Sequence, residues 1–241
     1  MSEAVLFYNE RKVFFFDRKT NKELEEPLQI DYFNKFVSSR LSNLIQSNII
    51  DAGMEIKAVI TDAGDGLLIP NDIYNPEKKE GFYQLNYPSI PSGKILLEYQ
   101  ISLLNATMIY SCKKWLFDFI KTHFDQTPLL HSSSLYLNKI LSERDELKDI
   151  HIVIKKDTFD IIKLKNKKLF SYNSIEYTSM SDLIYFIIGH IDKLNIDKPS
   201  IEIYGNEEQL KEIETIKNKI DLLKSNTFYF SSNTNFIDLI K

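Results

Sequence analysis

The alternation of apolar and polar residues predicts that the chain begins with a β-hairpin. Two β-prone runs, residues 5–8 and 13–16, are separated by a polar turn at residues 9–12. A third, short and charged strand is expected around residues 22–26, where Pro27 ends it. The first part of the chain is therefore expected to form three consecutive strands.

The apolar spacing then changes to three and four residues, which is typical of an amphipathic helix. The apolar positions with this spacing are Ile30, Phe33, Val37, Leu41 and Leu44. A β-prone run over residues 56–61 follows and completes a β-β-β-α-β order.

The middle of the chain differs in composition. Residues 53–93 hold four of the 7 prolines and five of the 7 glycines, which predicts turns and an elaborated loop. Two β-prone runs follow at residues 94–102 and 106–112, and then a helix whose apolar stripe extends from Trp115 to Phe124. Ser132 or Ser133 can cap a further helix.

The same order of elements starts again after a charged stretch at residues 142–149. Ser179 and Asp182 have the spacing of a capping box at the start of a helix. The other expected elements of this half are strands at residues 150–155, 159–164, 168–172, 201–204 and 227–230, and a helix from Leu210 to Leu223.

Two passes through β-β-β-α-β-α-β predict an α/β (mixed α+β) fold with helices on both faces of each sheet. Two such units in tandem are two ribonuclease-H-like lobes, which is the architecture of actin-like ATPases. We expect the first lobe at residues 1–130 with a loop-rich insertion at 62–93, a connecting helix and linker at 131–149, and the second lobe at 150–241.

Several segments of both halves resemble a recurring signature of a bacterial family of proteins of unknown function, whose members are similar in fold to actin-like ATPases. The resemblance implies the fold and carries over no catalytic residue. Relatives by fold include cytoskeletal ATPases and cytoplasmic assembly proteins of pilus and secretion machines. The segments that carry the resemblance are LFSYNSIEY (169–177), SDLIYF (181–186), DKLNID (192–197), LIPNDIYN (68–75), FYQLNY (82–87), the strand end at Gly205 and the serine-rich helix start at His131.

An actin-like ATPase would hold nucleotide phosphates on a hairpin turn in each lobe, where glycine lets backbone N–H groups approach the phosphate. The corresponding turns here, residues 9–12 and 156–158, contain no glycine. Gly205 is followed by Asn206 rather than by a second glycine. The sequence thus predicts no catalytic residues and no cofactor, and it favours a protein that is not an enzyme.

An atypical nucleotide-binding, ATPase-like switch is the alternative. It would grip phosphate through the side chains of Arg11, Lys155 and Lys156, with Gly205 nearby. The glycine-containing segment at residues 62–66 has two carboxylates and resembles a phosphate loop, but its position after a strand favours a plain Asp-Gly hairpin.

The sequence gives little support for a metal site or for nucleophilic catalysis. Cys112 is the only cysteine, so a cysteine zinc site is excluded, and no metal site is predicted. The 4 histidines do not converge in sequence. His131 lies beside a run of serines at a helix start, where nucleophile–base geometry is rare, and His151 is expected on the face of its strand opposite Ile150 and Ile152.

The charge argues against nucleic acid and membrane surfaces as partners. The formal net charge is −4, whereas both partners attract basic proteins. The local basic run at residues 163–168 is interpreted as a solvated strand edge, with RNA binding as the weaker alternative. The N-terminus has no secretory leader and no apolar run is long enough to span a bilayer, so we expect a cytoplasmic protein without membrane insertion.

The aromatic content points to a protein partner. The chain has 16 Phe and 13 Tyr, and aromatic rings among prolines are plausible interface anchors. The candidates are Tyr74, Phe82, Tyr83 and Tyr87, which could instead fold back as a lid on the first lobe. The predicted function is therefore a non-catalytic scaffold or adaptor that binds a protein partner. The sequence specifies neither that partner nor the oligomeric state.

Overall fold

A computed structural model shows that the chain divides into two compact units, with the division between Tyr136 and Leu137. The structure describes residues 2–62, 65–143, 148–192, 198–218, 220, 223 and 226–231, apart from the single positions 10, 21, 33, 156 and 167.

The first unit combines a five-stranded sheet with a smaller three-stranded one. The last helix of this part continues into the second unit. In chain order the elements are β1 (Ser2–Asn9), β2 (Lys12–Asp17), β3 (Leu28–Gln29), α1 (Lys35–Ile45), β4 (Met54–Thr61), β5 (Gly66–Pro70), α2 (Lys79–Gln84), β6 (Lys94–Ile101), β7 (Ala106–Lys113), α3 (Lys114–His123), β8 (Leu129–His131) and α4 (Ser132–Ser142).

The five-stranded sheet has the order β3-β2-β1-β4-β8, in which β1 pairs antiparallel with β2 and parallel with β4. Strand β1 is apolar on both faces because both faces are covered. Leu6 and Tyr8 belong to one core cluster together with Leu41 of α1 and Phe119 of α3. Val5 and Phe7, on the other face, belong to a second cluster.

Strands β5, β7 and β6 form the separate three-stranded sheet, in that order. The prediction of an Asp-Gly hairpin at residues 62–66 is therefore wrong. Strand β4 pairs with β1 and β8, whereas β5 pairs with β7, so the two strands flanking this segment enter different sheets. The sequence of a short loop does not show whether the following strand pairs with the preceding one or joins a different sheet, because both connections need turn residues.

The second unit repeats the topology of the first five-stranded sheet. Its sheet order is β11-β10-β9-β12-β13, which places the first strand of the unit in the centre, as β1 is in the first unit. The predicted duplication of element order is therefore confirmed. The elements are β9 (Ile150–Ile154), β10 (Thr158–Lys165), β11 (Lys168–Glu176), α5 (Met180–Asp192), β12 (Ser200–Tyr204), α6 (Glu207–Lys217) and β13 (Thr227–Ser231).

The core of the second unit is rich in isoleucine. Ile152 and Ile203 from the sheet pack with Ile187 of α5 and Ile213 of α6. The predicted capping box of α5 is present: Ser179 Oγ accepts a hydrogen bond from Asp182 N at 3.2 Å, and Asp182 Oδ2 accepts one from Ser179 N at 3.0 Å.

Three details differ from the sequence-based expectation. The third strand is Leu28–Gln29, and within the charged stretch at 22–26 an isolated bridge joins Glu23 to Phe16. Helix α1 begins at Lys35, because the Asn34 side chain caps it by accepting a hydrogen bond from Val37 N. Strand β8 was not predicted, since three residues are too few to show a pattern.

The basic run at residues 163–168 is partly inside the protein. Lys165 and Lys168 are exposed as expected, but Lys163 is buried with 6% of its surface exposed, so the expectation of a solvated edge is wrong for that residue. Lys167 lies outside the described residues. None of the described helices is both long and apolar enough to cross a bilayer.

Candidate functional site

The carboxyl ends of parallel strands β9 and β12 meet at one edge of the second sheet. In open α/β sheets this edge is the usual position of a ligand. Lys155 follows β9, the exposed residue Asp157 lies in the turn to β10, and Gly205 follows β12 at the start of α6. Three of the positions that sequence reasoning considered for phosphate are therefore located around this edge.

Lys155 is held by contacts within the protein. Its ammonium lies 3.0 Å from Asp160 Oδ2, and the exposed fractions of these two side chains are 1% and 0%. The Tyr172 hydroxyl donates to the other carboxylate oxygen of Asp160 at 3.4 Å. The carbonyl oxygen of Lys155 accepts hydrogen bonds from the Tyr177 hydroxyl at 2.8 Å and from Gln209 Nε2 at 3.3 Å. A phosphate could reach the Lys155 ammonium only after this buried ion pair is broken.

The space beside Gly205 is taken by the first turn of α6. Asn206 and Gln209 form a capping box, in which Asn206 Oδ1 accepts from Gln209 N at 2.9 Å and Gln209 Oε1 accepts from Asn206 N at 3.0 Å. A Cβ atom added at Gly205 would lie 3.3 Å from Gln209 Oε1 and 3.3 Å from Leu210 Cδ2. A larger residue at this position would therefore require the Gln209 or Leu210 side chain to shift by a few tenths of an ångström.

The first unit contains one further phosphate-grip candidate. Arg11 is exposed in the turn between β1 and β2 of the first unit, where its carbonyl oxygen accepts a hydrogen bond from Ile30 N at 2.6 Å. Lys156 lies outside the described residues. The alternative of a side-chain grip on phosphate stays a prediction.

A polar contact at the strand ends of the first unit was not found from the sequence. Ser132 Oγ, at the start of α4, donates to Asp62 Oδ1 at 2.6 Å. Ser134 Oγ donates to the carbonyl oxygen of His131 at 2.6 Å, and the His131 ring packs 4.9 Å from the Tyr110 ring. Asp62 is 70 residues before Ser132, so no local motif could signal their contact.

The aromatic segment after β5 folds back onto the three-stranded sheet. Tyr83 is 1% exposed, and its hydroxyl donates to Asp65 Oδ2 at 2.5 Å. Burial, together with this contact, raises the pKa of Tyr83 above its ordinary value. The Tyr83 ring is stacked on Tyr87 with centroids 4.7 Å apart.

Tyr74 and Phe82 are half-buried beside this pair, with ring centroids 5.9 Å apart. The Tyr74 hydroxyl donates to Glu98, and burial followed by this contact raises the pKa of Tyr74. This packing agrees with the alternative prediction for the four aromatic residues, in which they fold back on the first lobe. Their role in binding a partner stays a prediction. The exposed large hydrophobic side chains of this segment are aliphatic: Ile73 at 64% and Leu85 at 77%.

One face of the second sheet is buried and polar. His151 projects from β9 on the face opposite the core isoleucines, as predicted. Its Nε2 accepts a hydrogen bond from Lys148 N at 3.3 Å, and its Nδ1 lies 3.3 Å from the Tyr204 hydroxyl and 3.5 Å from Glu202 Oε2. Burial lowers the pKa of His151 to about 4, so the ring is neutral at neutral pH.

Within the described ranges, no group of three or more His, Cys, Asp or Glu side chains is arranged to hold a metal ion. Cys112 is buried in the core of the first unit, and burial raises the pKa of its thiol to about 12. The thiolate form is therefore scarce at neutral pH.

Comparison with known proteins identifies the fold. A family model for a protein of unknown function (DUF3822) matches residues 13–236. A crystal structure from Bacteroides thetaiotaomicron, a protein with actin-like ATPase fold and unknown function, has a TM-score of 0.77 and 15% identity, covering 99% of this chain and 95% of that chain. A chain of the PilM-PilN type IV pilus biogenesis complex has a TM-score of 0.52 and 8% identity, covering 95% and 91%. Among curated proteins, none matches.

Substitution of Gly205 tests whether the strand end is filled. Gly205→Ala is expected to lower the free energy of unfolding by about 1 kcal/mol, because the new methyl group must displace Gln209 or Leu210. Gly189→Ala, on the exposed face of α5 with no heavy atom within 4 Å of the added Cβ, is expected to raise it by about 0.5–1 kcal/mol. Urea denaturation measures both values. Stabilisation by both substitutions would contradict the packing described for Gly205.

The neutral His151 predicts a pH dependence of stability. Its folded pKa of about 4 lies below the value of 6.5 expected for an unfolded chain, so the unfolded state takes up the proton first as the pH falls. The stability of the wild type relative to His151→Gln is therefore expected to be constant above about pH 6.5 and to decrease by up to about 3 kcal/mol towards pH 4. Urea denaturation of both proteins across this range measures it, and parallel pH profiles would contradict the assignment.

Proposed function

Because this chain belongs to the DUF3822 family of proteins of unknown function and has the actin-like ATPase fold, we propose that it is a non-catalytic scaffold or adaptor that binds a protein partner. In this proposal the chain is a pseudo-ATPase of the bacterial cytoplasm, and its two units are ribonuclease-H-like lobes.

The observation that carries the proposal is that the strand ends of the second sheet are occupied by the protein's own groups. A phosphate at this edge needs free backbone N–H groups and space close to the chain. The first turn of α6 is instead capped by Asn206 and Gln209, and the same Gln209 reaches the carbonyl oxygen of Lys155. The Lys155 ammonium is paired with Asp160. An anion would have to compete with all of these contacts.

A partner surface is suggested by the end of the three-stranded sheet. Ile73 and Leu103 are 64% and 48% exposed in the two turns at this end, which we call the insertion tip (residues 71–73 and 102–105). Asn71 N donates to Asn105 O at 2.9 Å, and Asn71 Nδ2 donates to Asn105 Oδ1 at 3.2 Å. The Thr107 hydroxyl donates to Asn71 Oδ1 at 2.8 Å.

These hydrogen bonds hold both apolar side chains of the insertion tip on turns that are already ordered. Binding to a preorganised surface loses less conformational entropy, so two aliphatic side chains can serve as anchors for an apolar patch on another protein. The half-buried rings of Tyr74, Phe82 and Tyr87 pack with the buried Tyr83 on the same three-stranded sheet. The PilM-PilN complex is a precedent, because a protein of this fold occurs there in complex with another protein.

The double variant Ile73→Ser, Leu103→Ser tests the insertion tip. A partner would first be captured with the wild-type protein, identified by mass spectrometry and purified. Its affinity for the double variant is then expected to be at least about tenfold weaker by calorimetry, because exposed apolar anchors contribute through the area they bury. Tyr185→Ser, on α5 at 75% exposure, is the matched control and should bind as the wild type does. Equal affinity of the double variant would exclude the insertion tip.

Nucleotide titration tests the non-catalytic part of the proposal. A nucleotide that binds only the native state, at a free concentration of one hundred times its Kd, would stabilise the native state by about 2.7 kcal/mol. We expect magnesium-ATP, ADP and GTP to leave the melting temperature unchanged, with and without the exchange Arg11→Gln. A rise in melting temperature with ATP that Arg11→Gln or Lys155→Met abolishes would support the ATPase-like switch instead.

A further inference from the structure

A cavity of about 530 Å³ lies within the second unit, against the buried polar face of its sheet. Its lining contains neither Lys155, Asp157 and Gly205 nor any residue of the insertion tip, and the proposed function does not use it. The described residues that matter for its chemistry are Ile140, Glu143, Lys148, His151, Glu202 and Tyr229.

Glu202 gives the cavity a negative charge. Its side chain is 19% exposed, and its two oxygens face neutral groups. The Ser231 hydroxyl donates to Oε1 at 2.9 Å, and His151 Nδ1 lies 3.5 Å from Oε2. Because His151 Nε2 accepts the Lys148 backbone N–H, the proton of the neutral ring is on Nδ1 and is directed to Glu202 and Tyr204. These contacts stabilise the carboxylate without cancelling its charge.

Tyr229 presents an aromatic face to a cation. Its ring is 43% exposed, and the Lys148 ammonium lies 4.1 Å from the ring centroid, which is a cation–π contact. The exposed carboxylate of Glu143 is a second acidic group in the lining. With His151 neutral, the two carboxylates exceed the single lysine among the described lining residues. The lining therefore favours cations over anions.

We propose that this cavity binds an alkylammonium group. The ammonium takes the place of the Lys148 side chain on the Tyr229 ring, beside Glu202, and its alkyl chain contacts Ile140. Lys148 can release the ring without moving its backbone, because its N–H is bonded to His151 and its flexible side chain carries the charge. Lys148 is thus an internal occupant that an external ammonium displaces.

Calorimetry with defined probes tests the proposal at low ionic strength, where screening is weak. Spermidine represents a free polyamine, and a capped tripeptide with a central lysine represents a protein side chain. The same tripeptide with norleucine keeps the alkyl chain and lacks the charge. Saturable binding of spermidine or of the lysine tripeptide supports the proposal and indicates the source of the ligand. Equal binding of the norleucine tripeptide would overturn it.

Variants with opposite expected effects locate the site. Lys148→Gln is expected to strengthen binding about two- to fivefold, because it frees the ring face. Glu202→Gln is expected to weaken binding at least about tenfold, because it removes the charge but keeps side-chain groups for Ser231 and His151. Tyr229→Leu should also weaken it. Circular dichroism checks that each variant is folded.

Matched controls separate the cavity from the overall charge of the protein. Lys165→Gln lowers the net charge by one, as Lys148→Gln does, and Glu176→Gln raises it by one, as Glu202→Gln does. Both lie at exposed positions on β10 and β11, on the other side of the central strand in the sheet order. Both should bind as the wild type does. The proposal is overturned if these controls shift the affinity as much as the cavity variants do. It is equally overturned if neither cation binds the wild type or Lys148→Gln.

Discussion

A polar group on a sheet that is covered on both faces must find its hydrogen-bond partner inside the protein, and the second unit is organised by this constraint. Its central strand has isoleucines on one face, while Lys155 and His151 lie on the other. Lys155 is paired with Asp160, and His151 is placed between Lys148 N, Tyr204 and Glu202. An anion at these strand ends would have to compete with the contacts that the polar groups already make.

The duplicated topology contains two different solutions for a covered sheet. In the first unit, β1 contributes Leu6 to one apolar cluster and Val5 to another, so both faces of this strand are apolar. In the second unit one face is apolar and the other is polar and partly hollow. Buried polar networks of this kind add little stability compared with apolar packing but can fix a particular geometry. The two copies of the repeat therefore differ in the polarity of the second face of their central strands.

Much of the fold could be predicted because it is encoded by local pattern. The initial hairpin, the strands of the second unit and the capping box at Ser179 and Asp182 all follow from spacing within a few residues. Burial of Tyr83 could not be predicted, since it depends on packing against the three-stranded sheet, and its partner Asp65 lies 18 residues earlier. The contact of His151 with Glu202 joins separate strands, and only the sheet order brings them together.

The three-stranded sheet has a consequence for how this protein can evolve. Among the described residues, β5, β6 and β7 pair with one another and leave the hydrogen-bond ladder of the five-stranded sheet intact. Insertions and exchanges in its turns thus leave the register of that ladder unaltered. The five-stranded sheet and the turns of the three-stranded sheet can therefore diverge at different rates, so that related chains can keep one framework while these turns change.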